Sequence, residues 1–196
     1  MINKLGKFVK GRVFIAIDAA NIEKSAQDLP VDPKDANRRT IKNLGWRVDY
    51  RKLANYFKRN CKLKKLSFYS ASFGTKNHND FLLFLKSAGY EIKTKPVKEI
   101  KDRQGNLIHR KANFDVEISV DSLDSIGDFD TFILFSGDSD FAYLLDYLNN
   151  KGKETIVIST RWHIAKELIG SADLYIDIYK LRRKILRISK MPKTRP

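Results

Sequence analysis

Residues 131–141 read TFILFSGDSDF. The run Thr131–Ser136 is short and continuously apolar up to its end, as a strand covered on both faces must be. Residues Ser136-Gly137-Asp138-Ser139-Asp140 follow, and Phe141–Asn150 then reads as a helix stopped at Lys151-Gly152. A buried strand that passes through an acidic turn into a helix is half of a strand–helix–strand unit.

The same pattern recurs along the chain. Val13–Ile17 (VFIAI) is a second buried run, and it ends on Asp18 and Asn21 (IDAAN). Leu66–Ser70, Tyr90–Val97, Thr155–Ser159 and Leu174–Ile178 read as further strands, Tyr90–Val97 the more exposed. Helices are predicted over Arg47–Asn60, Asp80–Ala88 (closed by Gly89), Asp115–Ile126 and His163–Ile169. Ile100–His109 reads as a hairpin turning at Gln104-Gly105-Asn106. Such alternation implies an α/β fold, a largely parallel doubly wound sheet with helices on both faces. The expected organisation is a basic arm at 1–12, a domain over 13–178 with an irregular insertion at 19–45, and a basic helix and tail over 179–196.

The chain has 196 residues, 42% apolar and 11% aromatic, enough for one real core and against wholesale disorder. No apolar run approaches the roughly 18–20 residues of a membrane helix, and Val13–Ile17 is too short for a signal-peptide core. A single cysteine, Cys61, excludes an internal disulfide and a multi-cysteine zinc site, and suits a reducing, cytoplasmic setting. The net charge is +15 and unevenly placed. Residues 1–12 hold four basic and no acidic residues, 180–196 eight and none, and 34–65 twelve against two. Elsewhere 14 basic residues face 21 acidic ones. A basic periphery around an acidic centre suits nucleic acid only if a divalent cation lies between carboxylate and phosphate; the ordinary alternative is a solvated surface.

In open parallel sheets ligands bind beyond the carboxyl ends of the strands, where strand order reverses. That rule selects Asp18 and Asn21, then Ser136, Asp138, Ser139 and Asp140, and a third cluster, Asn113-Phe114-Asp115, that starts the helix leading into the 131–136 strand. Each has an ordinary explanation alone: a turn residue at Asp18, a dipole-favoured carboxylate at Asp115, a cap at Asp138 or Ser139. One cap, however, does not need two aspartates with another acid at each neighbouring element. Oxygen donors without His or Cys suit a hard cation, Mg²⁺ or Mn²⁺. Asp121 lies six residues after Asp115, about 240° further round the helix, and is assigned a supporting role. His78, His109 and His163 share no motif and read as surface residues.

The blocks IDAAN at 17–21, KANFDVEISVD at 111–121 and LFSGDSDF at 134–141 resemble those of NYN domains of the LabA-like group, within the PIN-like nuclease superfamily. Weaker agreement comes from Lys151-Gly152-Lys153 and SADLYIDI at 171–178; Ala112 departs from the Gly often found there. The resemblance implies a PIN-like three-layer α/β/α sandwich and a metal-dependent ribonuclease. Asp18, Asp115, Asp138 and Asp140 would be the catalytic, metal-holding set for Mg²⁺ or Mn²⁺, with Asn21 completing the pocket and Ser136 and Ser139 orienting carboxylates or phosphate.

Single-stranded RNA is the expected substrate, carried by Arg38, Arg39, Lys42, Arg47, Arg51 and Lys52, with Lys111 beside the site. Trp46, Tyr50 and Trp162 are candidates for stacking on bases, against a packing role for the same rings. The terminal helix, placed at Tyr179–Ile188, is a candidate for docking on the sheet, for RNA contact or for self-association as a homodimer. The competing function is a catalytically weak or inactive RNA-binding module of the same fold. A phosphatase using Asp18 as nucleophile ranks lower, because haloacid-dehalogenase-like enzymes carry a second Asp two positions on, where this chain has Ala20.

Overall fold

The computed structural model describes residues 9–36, 42–101 and 107–191. Strands β1 (Arg12–Asp18), β3 (Lys62–Ser72), β4 (Glu91–Pro96), β7 (Thr131–Phe135), β8 (Glu154–Ser159) and β9 (Leu174–Asp177) form one sheet in the order β4-β3-β1-β7-β8-β9. Every pairing in it is parallel. Each of the six apolar runs read from the sequence is one of these strands.

Alternation along β1 divides the core in two. Val13, Ile15 and Ile17 face one layer, built from helices α1 (Ala19–Gln27), α3 (Tyr50–Asn60) and α4 (Lys76–Ala88). Phe14 and Ala16 face the other, built from α5 (Asp115–Asp124), α6 (Ala142–Asn150) and α7 (Lys166–Ser171). The result is the three-layer α/β/α sandwich. Full burial of Phe14, Ile15, Ile17, Phe132 and Phe135 contributes about 1.5–3 kcal/mol per side chain. Edge-on packing of Phe14 against Phe129 and Phe132 adds shape specificity. Connections from β1 towards β3 use the first layer and those from β7 towards β8 the second. The crevice of the fold therefore opens between the carboxyl ends of β1 and β7.

Two regions differ from the sequence reading. The 19–45 stretch is not an irregular insertion. It contains α1, the short α2 (Pro33–Ala36) and the start of strand β2 (Leu44–Val48). Ile22, Ala26 and Leu29 recur at helical spacing and are buried, but Pro30 and Pro33 mask the pattern by ending it early. The terminal segment is not one helix either. A 3-10 turn over Ile178–Leu181 and a single turn, α8 (Arg182–Ile185), lead into strand β10 (Leu186–Lys190). β10 pairs antiparallel with β2, placing Leu186 opposite Val48, Arg187 opposite Arg47 and Ile188 opposite Trp46. Leu181, Ile185 and Ile188 have helical spacing, but an unpaired β2 edge takes up the backbone hydrogen bonds that a longer helix would have satisfied internally.

Smaller differences have local causes. Arg47 lies on β2, and α3 begins at Tyr50 because the Asp49 side chain accepts the Lys52 amide and caps it. Helix α4 begins at Lys76, capped by Thr75, and ends at Gly89 with φ 95°, the left-handed conformation glycine adopts without strain. Strands β5 (Lys98–Lys101) and β6 (Leu107–Lys111) form the expected antiparallel hairpin, whose turn lies outside the described residues. No helix among the described residues is long and apolar enough to cross a membrane.

Candidate metal centre

The site is built by caps. At the end of β1 the Asp18 carboxylate caps α1, its Oδ1 accepting the Asn21 amide at 3.2 Å and its Oδ2 accepting the Ser136 hydroxyl at 3.2 Å. Ser136 Oγ in turn accepts the Asp138 amide at 3.3 Å. Asp138 caps the 3-10 turn Ser139–Phe141, its Oδ1 accepting the Asp140 amide at 3.2 Å. The Asn21 side-chain carbonyl accepts the Gly137 amide at 2.9 Å, so α1 and the acidic loop are fastened together. Ser139 is the exposed first residue of the turn.

Asp115 stands in the first turn of α5, where the helix dipole favours a carboxylate. Asp115, Asp138 and Asp140 each offer an oxygen within 4.8 Å of the others, the first two half-buried and the third exposed. Asp18, expected to hold the metal with Asp115 and Asp138 while Asp140 completes the shell, is not one of these three; its Oδ1 accepts the Asn21 amide and its Oδ2 the Ser136 hydroxyl. It still senses the cluster: burial raises its pKa against the pull of its two hydrogen bonds, and repulsion from Asp115 and Asp138 raises it further. An all-carboxylate donor set of this spacing, partly open to solvent, fits a hard divalent cation.

Asp121 does not join them. It accepts the buried Tyr69 hydroxyl at 2.9 Å and lies 3.5 Å from Lys93 Nζ. Gly137 is needed for closeness rather than for an unusual φ, since a Cβ there would fall 1.8 Å from the His163 carbonyl oxygen. His163 itself is half-buried and 2.7 Å from Asp28.

The basic candidates disperse. Lys42 is exposed in the turn before β2; Arg51 lies over the Phe84 ring at 4.9 Å; Lys52 Nζ is 3.5 Å from the Leu186 carbonyl. Arg47 is half-buried on the ribbon. Arg38 and Arg39 lie outside the described residues, as does the Lys111 side chain. Of the aromatic candidates, Trp46 and Tyr50 are core residues, 2% and 5% exposed, with Trp46 Nε1 donating to the Pro30 carbonyl and Tyr50 Oη to Glu23. Trp162 is 55% exposed, with the Arg161 guanidinium over its ring.

Three residues were missed. Glu23 on α1 is a half-buried carboxylate whose pKa burial raises, against its bond from Tyr50 and the charges of Arg47 and Arg187. Reading 19–45 as a loop hid it. Ser159 and Thr160 end β8 with buried hydroxyls that have no hydrogen-bond partner among the described residues, Ser159 beside Gly137. The strand-end rule that selected Asp18 and Asp138 would have selected them too.

The NYN domain family matches residues 12–181. The low amplitude and bright protein LabA of Synechococcus elongatus is 36% identical over 142 residues, 70% of this chain and 76% of that protein. A crystal structure of a Vibrio parahaemolyticus protein of unknown function has a TM-score of 0.67, covering 87% of this chain and 94% of that one at 21% identity. That likeness speaks to the fold alone. The family match covers every strand of the sheet and all four candidate carboxylates, and with the LabA identity it shows that the chain belongs to the NYN domain family, as a LabA-like member.

Proposed function

We propose that this protein is a metal-dependent ribonuclease that hydrolyses phosphodiester bonds in single-stranded RNA. The observation that carries the reading is the meeting of Asp115, Asp138 and Asp140 at the crevice between β1 and β7. Those three would hold Mg²⁺ or Mn²⁺. Bound there, the cation supplies Lewis-acid polarisation of the phosphate and a more acidic water as nucleophile. Asp18 keeps Ser136 and the α1 N-terminus in register beneath the cluster. Asn21 holds the Gly137 backbone, so the loop carrying Asp138 and Asp140 is set before substrate arrives. Cys61, its thiol pushed up to about 11 by burial, takes no part and suits a cytoplasmic protein.

The test compares wild type with Asp138→Asn on labelled single-stranded RNA in Mg²⁺, Mn²⁺ or EDTA. Metal-requiring cleavage that disappears in the variant while binding persists supports the reading and the site together. Equal cleavage by both proteins places the chemistry elsewhere. Salt-sensitive binding without cleavage by wild type replaces the enzyme with an RNA-binding module of the same fold.

A further inference from the structure

We infer that the cleft between α2, α3, α8 and the β2–β10 ribbon binds the phosphodiester backbone of an RNA strand, away from the carboxylates; this rests on the ribonuclease reading. The cleft measures about 660 Å³ and presents the exposed cations Lys34, Lys52, Arg183, Arg187 and Lys190. Its one acidic lining residue among the described residues, Asp35, pairs with Arg182 at 2.7 Å and Arg183 at 2.6 Å, so its charge is already matched. Lys34, Arg187 and Lys190 make no ion pair among the described residues, and Lys52 reaches only a backbone carbonyl at 3.5 Å. Trp46 and Leu186, both buried, form a firm floor.

Four cations without an ion pair among the described residues, spread over α2, α3 and β10, exceed what one phosphate group engages and suit a chain of phosphates. The apolar lining is buried or half-buried, which leaves nothing to insert into a bilayer. Arg187 lies opposite Arg47, and both act on Glu23, which follows Asp18 on α1 by about 7.5 Å of helix rise. The sequence by itself does not reveal this cleft, because its β10 wall exists only through pairing with β2.

The test measures binding in EDTA, where no turnover occurs, using a labelled oligouridine of about 12 nucleotides. Arg187→Gln/Lys190→Gln is expected to weaken binding at least about tenfold and to reduce the slope of log K against log salt by about 1.4. Lys34→Gln/Lys52→Gln, on the opposite wall, is expected to do the same; melts matching wild type separate lost binding from lost folding. Lys86→Gln/Lys151→Gln, outside the cleft, should leave affinity and slope unchanged. Wild-type affinity and slope in both cleft variants would overturn the proposal. Displacement of RNA by polyglutamate at equal charge would also overturn it, in favour of an acidic protein. Because cleavage is scored separately in Mg²⁺ or Mn²⁺, loss of binding in the cleft variants supports the cleft even if wild type proves inactive, whereas the ribonuclease reading fails on that inactivity alone.

Discussion

The side-chain carbonyl of Asn21 holds the backbone amide of Gly137 at 2.9 Å, across 116 positions of sequence. Gly137 is buried, so this amide has no access to bulk solvent if Asn21 is lost. Asn21→Ala is expected to cost about 1–3 kcal/mol, the penalty of a stranded buried donor. Asn21→Asp keeps an acceptor in place and should cost less, although it adds a charge near Asp138. Urea unfolding of the three proteins checks the order.

Gly137→Ala tests closeness rather than conformation. The new methyl would fall 1.8 Å from the His163 carbonyl and 2.8 Å from Ser159 Oγ. A backbone carbonyl cannot rotate aside as a side chain can, so the loss should reach or exceed about 3 kcal/mol. A melting temperature close to wild type would show that the β8–α7 loop yields more easily than the packing implies.

Asp18 governs a pH dependence whose sign is opposite to that of a salt-bridged acid. Its folded pKa lies above the unfolded value, chiefly through burial, with repulsion from Asp115 and Asp138 added. The folded state therefore binds the proton more tightly. The resulting stabilisation is fully present below the unfolded pKa and is lost as pH rises through the folded one. Metal-free wild type should accordingly gain stability on acidification from neutral pH towards that range. Asp18→Asn retains a capping side chain, and Ser136 can accept as well as donate. It should melt higher than wild type at neutral pH in EDTA and lose this part of the pH response, while activity falls. Melts in EDTA across about pH 4–8 read both effects.

Cation binding should register without any substrate. A cation at 100 times its Kd stabilises the folded state by about 2.7 kcal/mol. Titrating Mn²⁺ or Mg²⁺ should raise the melting temperature of wild type. Asp115→Asn, Asp138→Asn and Asp140→Asn should each blunt that rise, since each removes one of three charges. Calorimetric melts with and without EDTA make the comparison. An unchanged response in all three variants would leave the cluster without a metal.

Strand β10 should matter to stability. Leu186 is 1% exposed, and Leu186→Ala is expected to cost about 2–5 kcal/mol. The chain has two tryptophans, Trp46 buried against the ribbon and Trp162 exposed. Acrylamide should quench one class of emission in wild type and both in the variant. Unaltered quenching would mean that the ribbon holds without Leu186.

The six sheet strands, their order along the chain and the acidic residues at their ends were all present in local pattern. A strand covered on both faces must be apolar throughout, and a ligand site at strand ends must interrupt that run with polar groups, so Val13–Asp18 and Thr131–Asp140 declare themselves without any knowledge of their neighbours. Helical phase, a property of six consecutive residues, separates Asp121 from Asp115 in the sequence alone. The tertiary structure alone decided which carboxylates meet. Asp115, Asp138 and Asp140 converge, whereas Asp18 gives its oxygens to Asn21 and Ser136, and that division follows from the pairing of β1 with β7 more than a hundred residues later. It also decided that Leu186–Lys190 extends along Leu44–Val48 and that Trp46 is core rather than a stacking surface. The spacing of Leu181, Ile185 and Ile188 supports a helix by itself. An unpaired strand edge contributed by residues some 140 positions earlier offers those backbone groups hydrogen bonds and a buried place for Leu186, and a partner that distant leaves no trace in the local pattern.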